Sequence, residues 1–319
     1  MNSAAIHKDP PGSGQRPAPR MSIIASLLRV ANRKALRGST RASFTLPRWL
    51  PSLRAVPIVI NGQTLFVDLR NGLTHPLLAG SPWPSAPWEA DEQALMRALV
   101  RPGEVVLDIG ANIGLHTVML AGIVGPAGHV HAFEPNEELL HALRRTAEHA
   151  GNVTVHPIGL SEREETREFY IPDGDRSMAS LADWTGGRVG AVQVRRCTFS
   201  VLDHLVSQGT IRHPQFIKCD IEGAETLAFR GAGVMLNRTD APIVLYEANA
   251  QSSSAFGFTI ETATGELRRS AKAEFTIFEV QPNGSVAPLP VFRSDCNQYN
   301  LLAVPRARLS EITPLLSGA

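Results

Sequence analysis

Residues 105–117 read Val-Val-Leu-Asp108-Ile-Gly110-Ala-Asn112-Ile-Gly114-Leu-His116-Thr. A short apolar run ends in glycine and opens directly into a helix pattern. Outward from it, the same rhythm recurs in HVHAFEP (129–135), NVTVHPI (152–158), QFIKCDI (215–221) and PIVLYEA (242–248), with helix patterns between them. Apolar strand runs that alternate with helices predict a parallel sheet covered on both faces. Right-handed crossovers make it an open, doubly wound α/β sheet. Glu164–Leu205 is a longer insertion with β-like pieces, and FTIFEV (275–280), Asn283-Gly284 and NLLAVP (300–305) read as terminal strands with a turn.

Upstream, residues 1–20 are rich in Pro, Gly and Ser and are expected to be a disordered tail. Residues 21–88 are expected to form an N-terminal helix and β-hairpin extension, and 89–319 the catalytic domain. Met21 to Leu36 carries a basic amphipathic helix pattern, which packs on its own domain, makes a peripheral membrane or partner contact through 21–37, or serves as an organelle-targeting peptide. Val56–Val67 reads as a hairpin around Asn61-Gly62, the preferred pair for a two-residue turn. A Pro-rich stretch at 80–87 precedes a helix pattern from Glu89 to Val100.

Composition narrows the function classes. The chain has 319 residues, 43 % of them hydrophobic and 19 % charged, which excludes a disordered or fibrous protein. Net charge is only +1, yet nine basic residues and no acidic one lie between Asp9 and Asp68, so the remainder is acidic. Three scattered cysteines suit neither a disulfide framework nor a Cys-based zinc site, and their odd number fits a reducing compartment. No apolar run is long enough for a membrane span, so a cytoplasmic protein is expected.

Ligands of such sheets bind at the carboxyl ends of the strands, where strand order reverses. The loop after the first strand is therefore the place to look. Read from Gly110, the dinucleotide fingerprint would need glycine where Asn112 and Leu115 stand, and no Gly-Lys-Ser/Thr closes a phosphate loop. That disfavours a nicotinamide oxidoreductase. Asp108 offers a carboxylate where a pyrophosphate site would want neutral backbone, which suits a cationic, amino-acid-bearing nucleoside such as S-adenosylmethionine. Glu134, twenty-four residues after Gly110, ends the second strand, where an acid accepts hydrogen bonds from ribose hydroxyls. Asp220, Glu222 and Glu225 cluster at the end of the QFIKCDI strand. Asp220 is expected to face the reacting end of the ligand, Lys218 to pair with one of these acids, and Glu225 to oppose a helix dipole.

Together VVLDIGANIGLHT, HVHAFEPN, IGLSE, FIKCDIEGAETLAFRGA and PIVLYEAN resemble the FkbM family of S-adenosylmethionine-dependent methyltransferases over roughly residues 90–250. The resemblance implies a class I, Rossmann-like methyltransferase fold of seven strands with the last antiparallel. It implies O-methylation of sugar or polyketide-type hydroxyls. It places Asp108, Gly110, Asn112, Gly114 and Glu134 at the cofactor and Ser161 near the adenine, with Phe133 or Pro135 along that ring. It does not fix the base, for which Asp220, Glu222 and His116 are candidates in that order. Asp220 is also expected to touch the cofactor.

His129 and His131 read as structural, no metal spacing is evident, and a magnesium ion at the Asp220 cluster has no support of its own. The polar loop Asp173–Ala179 is a candidate acceptor lid. The expected partner is a small-molecule or glycan acceptor and not a nucleic acid, since CDIEGAE offers no base-stacking clamp and its acids repel phosphate. The alternatives are a nucleic-acid methyltransferase, which the basic front would suit, and a cofactor-binding protein of a biosynthetic cluster without catalysis.

Overall fold

A computed structural model describes residues 19–34, 36–60, 62–71, 87–173, 178–188 and 190–316. From the N-terminus, helices α1 (Ile23–Arg33) and α2 (Ser39–Thr45) precede strands β1 (Val56–Ile60) and β2 (Gln63–Val67). Helix α3 (Pro87–Leu99) leads into β3 (Val105–Ile109), α4 (Leu115–Val124), β4 (His129–Phe133), α5 (Glu137–Ala150) and β5 (Val153–His156). The insertion supplies β6 (Gly159–Leu160), β7 (Glu165–Pro172) and β8 (Val192–Ser200), and α6 (Leu202–Ser207) returns to β9 (Phe216–Cys219). Then come α7 (Glu225–Arg230), α8 (Gly233–Leu236), β10 (Ile243–Asn249), α9 (Ala250–Ser254) and α10 (Thr262–Arg268), and last β11 (Thr276–Val280), β12 (Val286–Pro288) and β13 (Gln298–Val304). Residues 1–18 of the expected tail, most of the Pro-rich stretch and 174–177 of the polar loop lie outside the described residues.

The central sheet runs β12-β11-β13-β10-β9-β3-β4-β5. β5, β4, β3, β9 and β10 are parallel, and β13 enters antiparallel between β10 and β11. This is the seven-stranded class I arrangement. The eighth strand, β12, was not expected. Asn283 and Gly284 both take positive φ (63° and 73°), and the turn folds β12 back on β11, pairing Val280 with Val286. Pro288 and Pro290 then deny the edge further ladder donors.

Alternation along the strands sorts the core. Leu107, Ile109, Ile217 and Cys219 face one layer with α7 and α10; Val106, Phe216 and Leu245 face the other with α3 and α4. All five β3 residues are buried, as a strand covered on both faces requires. The hairpin pairs Ile60 with Gln63, which leaves a two-residue connection at the Asn-Gly position. Its Leu65 and Val67 pack with Ala25 and Leu28 of α1 and with Ile113, Leu115 and Val118 at the head of α4. Helix α1 is shorter than its amphipathic pattern. Ser22 caps it, accepting from the Ala25 N–H (3.2 Å), and Gly38, in the left-handed region, admits the separate helix α2. No helix among the described residues is long and apolar enough to cross a membrane.

Candidate functional site

Strand order reverses at β3, because the chain passes first to β4 and β5 on one side and later to β9 and β10 on the other. The ends of β3, β4 and β9 bring Asp108, Gly110, Asn112, Glu134, Lys218 and Asp220 together, whereas Ser161 lies after β6 of the smaller sheet. Asp108 pairs in register with Lys218 across the two strands. Its Oδ2 accepts from the Thr117 hydroxyl on α4 (2.6 Å), while Oδ1 is buried and meets no donor. Burial pushes this carboxyl up, opposed by the Lys218 ammonium and the Thr117 hydroxyl.

Gly110 takes φ +82°, and a Cβ there would overlap the Asp220 carbonyl oxygen. The loop after β3 and the loop after β9 are thus in backbone contact, an approach only glycine allows. Gly110 and Ala111 donate their N–H groups to the Phe133 carbonyl (3.1 and 2.9 Å), which ties the same loop to the end of β4. Asn112 also sits in the left-handed region (φ 52°), tolerable for asparagine. Its buried Oδ1 has no partner. Gly114 begins α4 at φ +88°, close under Leu143 of α5.

Glu134 is buried and locks this geometry. Its Oε2 accepts from the Asn112 N–H and its Oε1 from the Asn136 N–H, both at 2.8 Å. Each oxygen keeps a second lone-pair direction for a ligand hydroxyl. Burial raises this carboxyl to about 7 despite the two N–H donors. Phe133, one of the two residues expected along an adenine, instead lies fully buried in the core, its ring stacked on His156 at 4.6 Å; Pro135 is partly exposed. The third central strand ends at His156. Ser161 follows β6 in the second sheet, buried, with a hydroxyl that meets no partner.

At the end of β9, Lys218 and Asp220 form an ion pair (3.1 Å) on a lysine only 4 % exposed. Burial disfavours the ammonium, yet Asp220, Asp108 and Glu92 outweigh it and raise its pKa. Burial likewise pushes Asp220 up, but Lys218 holds it below the ordinary aspartate value. His116, in the first turn of α4, feels both groups. Burial and Lys218 drive it down to about 3, so it is neutral at physiological pH, and its Nε2 has no partner. The paired histidines fit the structural reading, with His131 Nδ1 3.0 Å from His156 Nε2 and His129 Nε2 2.8 Å from the Thr154 hydroxyl.

Glu222 follows at φ 55°, and its carbonyl accepts from the Ser180 hydroxyl (2.8 Å), which seats the insertion on this loop. Phe169, Leu181 and Phe199 of the insertion pack on Ala224 and Leu227 around it. Glu225 stands in the first turn of α7, where it opposes the helix dipole as expected, and it is buried there. It clamps the loop by accepting from the Ile221 N–H (2.9 Å).

The residue missed in the sequence is Glu247 on β10. One carboxylate oxygen each from Asp220, Glu222 and Glu247 lies within 4.8 Å of the others. Three carboxylates suit a hard divalent cation. Glu247 Oε1 accepts from Gln298 Nε2, and Oε2 is buried without a partner. Burial, Asp220 and Glu225 push Glu247 up to about 9, so it holds a proton at neutral pH while Asp220 does not. Strand register was the available signal: Tyr246 pairs with Cys219, so the next residue falls beside Asp220.

The chemistry of the donor set fits a nucleoside with a cationic amino-acid end. Asp108 Oδ1 and Asn112 Oδ1 are buried atoms short of hydrogen bonds, and such a ligand carries the ammonium and hydroxyl groups that would satisfy them.

Residues 108–276 match the family model described as the methyltransferase FkbM domain. The chain is 28 % identical over 157 residues to hexuronic acid methyltransferase AglP of Haloferax volcanii, covering 48 % of this chain and 61 % of that protein. It is 38 % identical over 76 residues to 31-O-demethyl-FK506 methyltransferase FkbM of Streptomyces tacrolimicus, covering 23 % and 29 %. The chain thus spans less than two thirds of the length of either relative. Among solved structures it is similar to Aeropyrum pernix fibrillarin with S-adenosyl-L-methionine bound, at 13 % identity and a TM-score of 0.36, covering 68 % of this chain and 76 % of that one. With its match to the family model spanning more than half its length, the chain belongs to the FkbM methyltransferase family, and S-adenosylmethionine is its cofactor.

Proposed function

We propose that the chain methylates a hydroxyl oxygen on a sugar, glycan or polyketide-type small molecule. The observation that carries this reading is the backbone contact of Gly110 with Asp220, which sets an ionised carboxylate against the cofactor loop. The names of the two relatives, one a hexuronic acid methyltransferase and one a 31-O-demethyl-FK506 methyltransferase, support a hydroxyl-bearing acceptor.

The bound cofactor supplies an electrophilic methyl group on a sulfonium. The chain's share of the work is orientation and proton handling. Asp108, Asn112 and Glu134 hold the cofactor through its ammonium and hydroxyl groups, and Ser161 faces its adenine. Asp220 takes the proton of the acceptor hydroxyl, and Lys218 keeps that carboxylate charged and in place. Glu247, protonated, donates a hydrogen bond to the acceptor instead of adding a second negative charge. Orientation of this kind supplies roughly 7–11 kcal/mol of a barrier, and a positioned base a further factor of about 10²–10⁴. The insertion, seated on Glu222 by Ser180, forms the wall on the acceptor side.

The test has two arms. Calorimetry should detect binding of S-adenosylhomocysteine and little or none of NAD; the reverse would sink the reading. With radiolabelled cofactor and a panel of hexuronic-acid glycans and polyketide alcohols, Asp220→Asn should lower turnover about 10²–10⁴-fold while changing cofactor affinity by less than about threefold. Unchanged turnover would remove Asp220 as the base.

A further inference from the structure

Helix α1 turns a second stripe of aliphatic side chains outward. Ala25 and Leu28 face the hairpin and are buried, yet Ile23, Leu27 and Val30, spaced four and three apart on one stripe, are 80, 64 and 50 % exposed. Trp49, further along the same extension, is 83 % exposed. A helix that served only its own core would put these residues inside. The charge along this segment of the chain has one sign. Arg29, Arg33, Lys34, Arg37, Arg41 and Arg48 lie along residues 19–60, and that stretch contains no acidic residue.

We propose that this extension docks on the surface of an anionic lipid bilayer. Helix α1 lies in the interfacial plane, with Ile23, Leu27 and Val30 at the acyl boundary and the basic side chains among the headgroups. The occupant of this face must offer both apolar depth and negative charge. An anionic bilayer offers both. A second copy of the chain would bring two cationic faces together, and a nucleic acid would leave the aliphatic stripe and the tryptophan in water. The apolar cluster that holds α1 also contains Ile113 and Leu115, which flank Gly114. The docked face is therefore coupled by packing to the cofactor loop, an arrangement suited to acceptors that reside at a membrane surface.

The test is flotation of the full chain with phosphatidylcholine vesicles, with and without phosphatidylglycerol. Binding should be at least about tenfold tighter to the anionic vesicles and should weaken as salt is added. Leu27→Asp with Val30→Asp should weaken it by about tenfold or more without shifting the thermal midpoint, because both positions are exposed. Should that pair unfold the chain, Arg37→Glu with Arg41→Glu gives the same readout through charge. Failure to bind anionic vesicles, or undiminished binding by a folded variant, overturns the proposal. So does a sedimentation profile in which the aspartate pair abolishes self-association instead, or tighter binding of an RNA oligonucleotide that the aspartate pair leaves unchanged.

Discussion

Glu134 does two jobs with one carboxylate: it fixes the glycine loop through Asn112, and it presents free lone pairs to a ligand. Its pKa of about 7 gives the second job a pH dependence. Ligand hydroxyls donate to the ionised form, so that form is favoured in the complex. Affinity for S-adenosylhomocysteine should therefore increase several-fold as pH rises from 6 to 8. Glu134→Gln should weaken binding by about 1–3 kcal/mol and remove that increase. A glutamine variant that binds as tightly as wild type would take Glu134 out of the ribose site. Much of this half of the site was legible beforehand, because Asp108, Gly110, Asn112 and Glu134 are set by local spacing at strand ends. The pairing of Lys218 with Asp220 was legible too, two residues apart on one strand. Glu247 was not, since its closeness to Asp220 depends on the register of two strands whose paired residues lie 27 positions apart. Phe133 was misplaced for a related reason: an aromatic at a strand end does not reveal which face it points to.

Among the elements, the β1–β2 hairpin has the clearest structural consequence for the site. Leu65 is fully buried against Ile113 and Leu115, and the Phe66 N–H donates to Thr146 on α5 (2.9 Å), so β2 spans both helices that follow the glycine loop. Leu65→Ala should cost about 2–5 kcal/mol in denaturant unfolding. A cost below about 1 kcal/mol would mean the hairpin rests on the helices without supporting them. The Asn-Gly pair made this hairpin readable from spacing alone. The short helix α2 and strand β12 were not readable, because each is too brief to show a period and depends on left-handed residues (Gly38; Asn283 with Gly284) for its entry.

Over the whole molecule, buried ionisable groups pull stability in opposite directions. His116, His131 and His156 are lowered to about 3, 3 and 4 by burial, so the unfolded chain binds their protons more readily, and stability rises with pH up to about 6.5. Glu134, Glu225 and Glu247 are raised to about 7, 7 and 9, so the folded chain holds their protons longer, and stability falls with pH from the ordinary glutamate range upward. The two sets oppose each other between about pH 4.5 and 6.5. Above 7 only the glutamates act, and chiefly Glu247. The thermal midpoint of the ligand-free chain should be nearly flat from about pH 5 to 6.5 and decline from about 7 to 9, and Glu247→Gln should abolish the decline. A midpoint that climbs through this upper range would contradict the burial assigned to Glu247.

The antiparallel strand β13 lies between β10 and β11, both of which precede it in the chain. The sheet is therefore completed between β10 and β11 by a segment synthesised after both of them, and after the glycine loop and the acidic loop. Until β13 arrives, β10 keeps an open flank of unpaired amides beside Glu247. A nascent chain of this topology must wait for β13 before the strand beside the acidic loop is paired on both flanks, which favours slow, long-range closure and exposes it to chaperones in the interval.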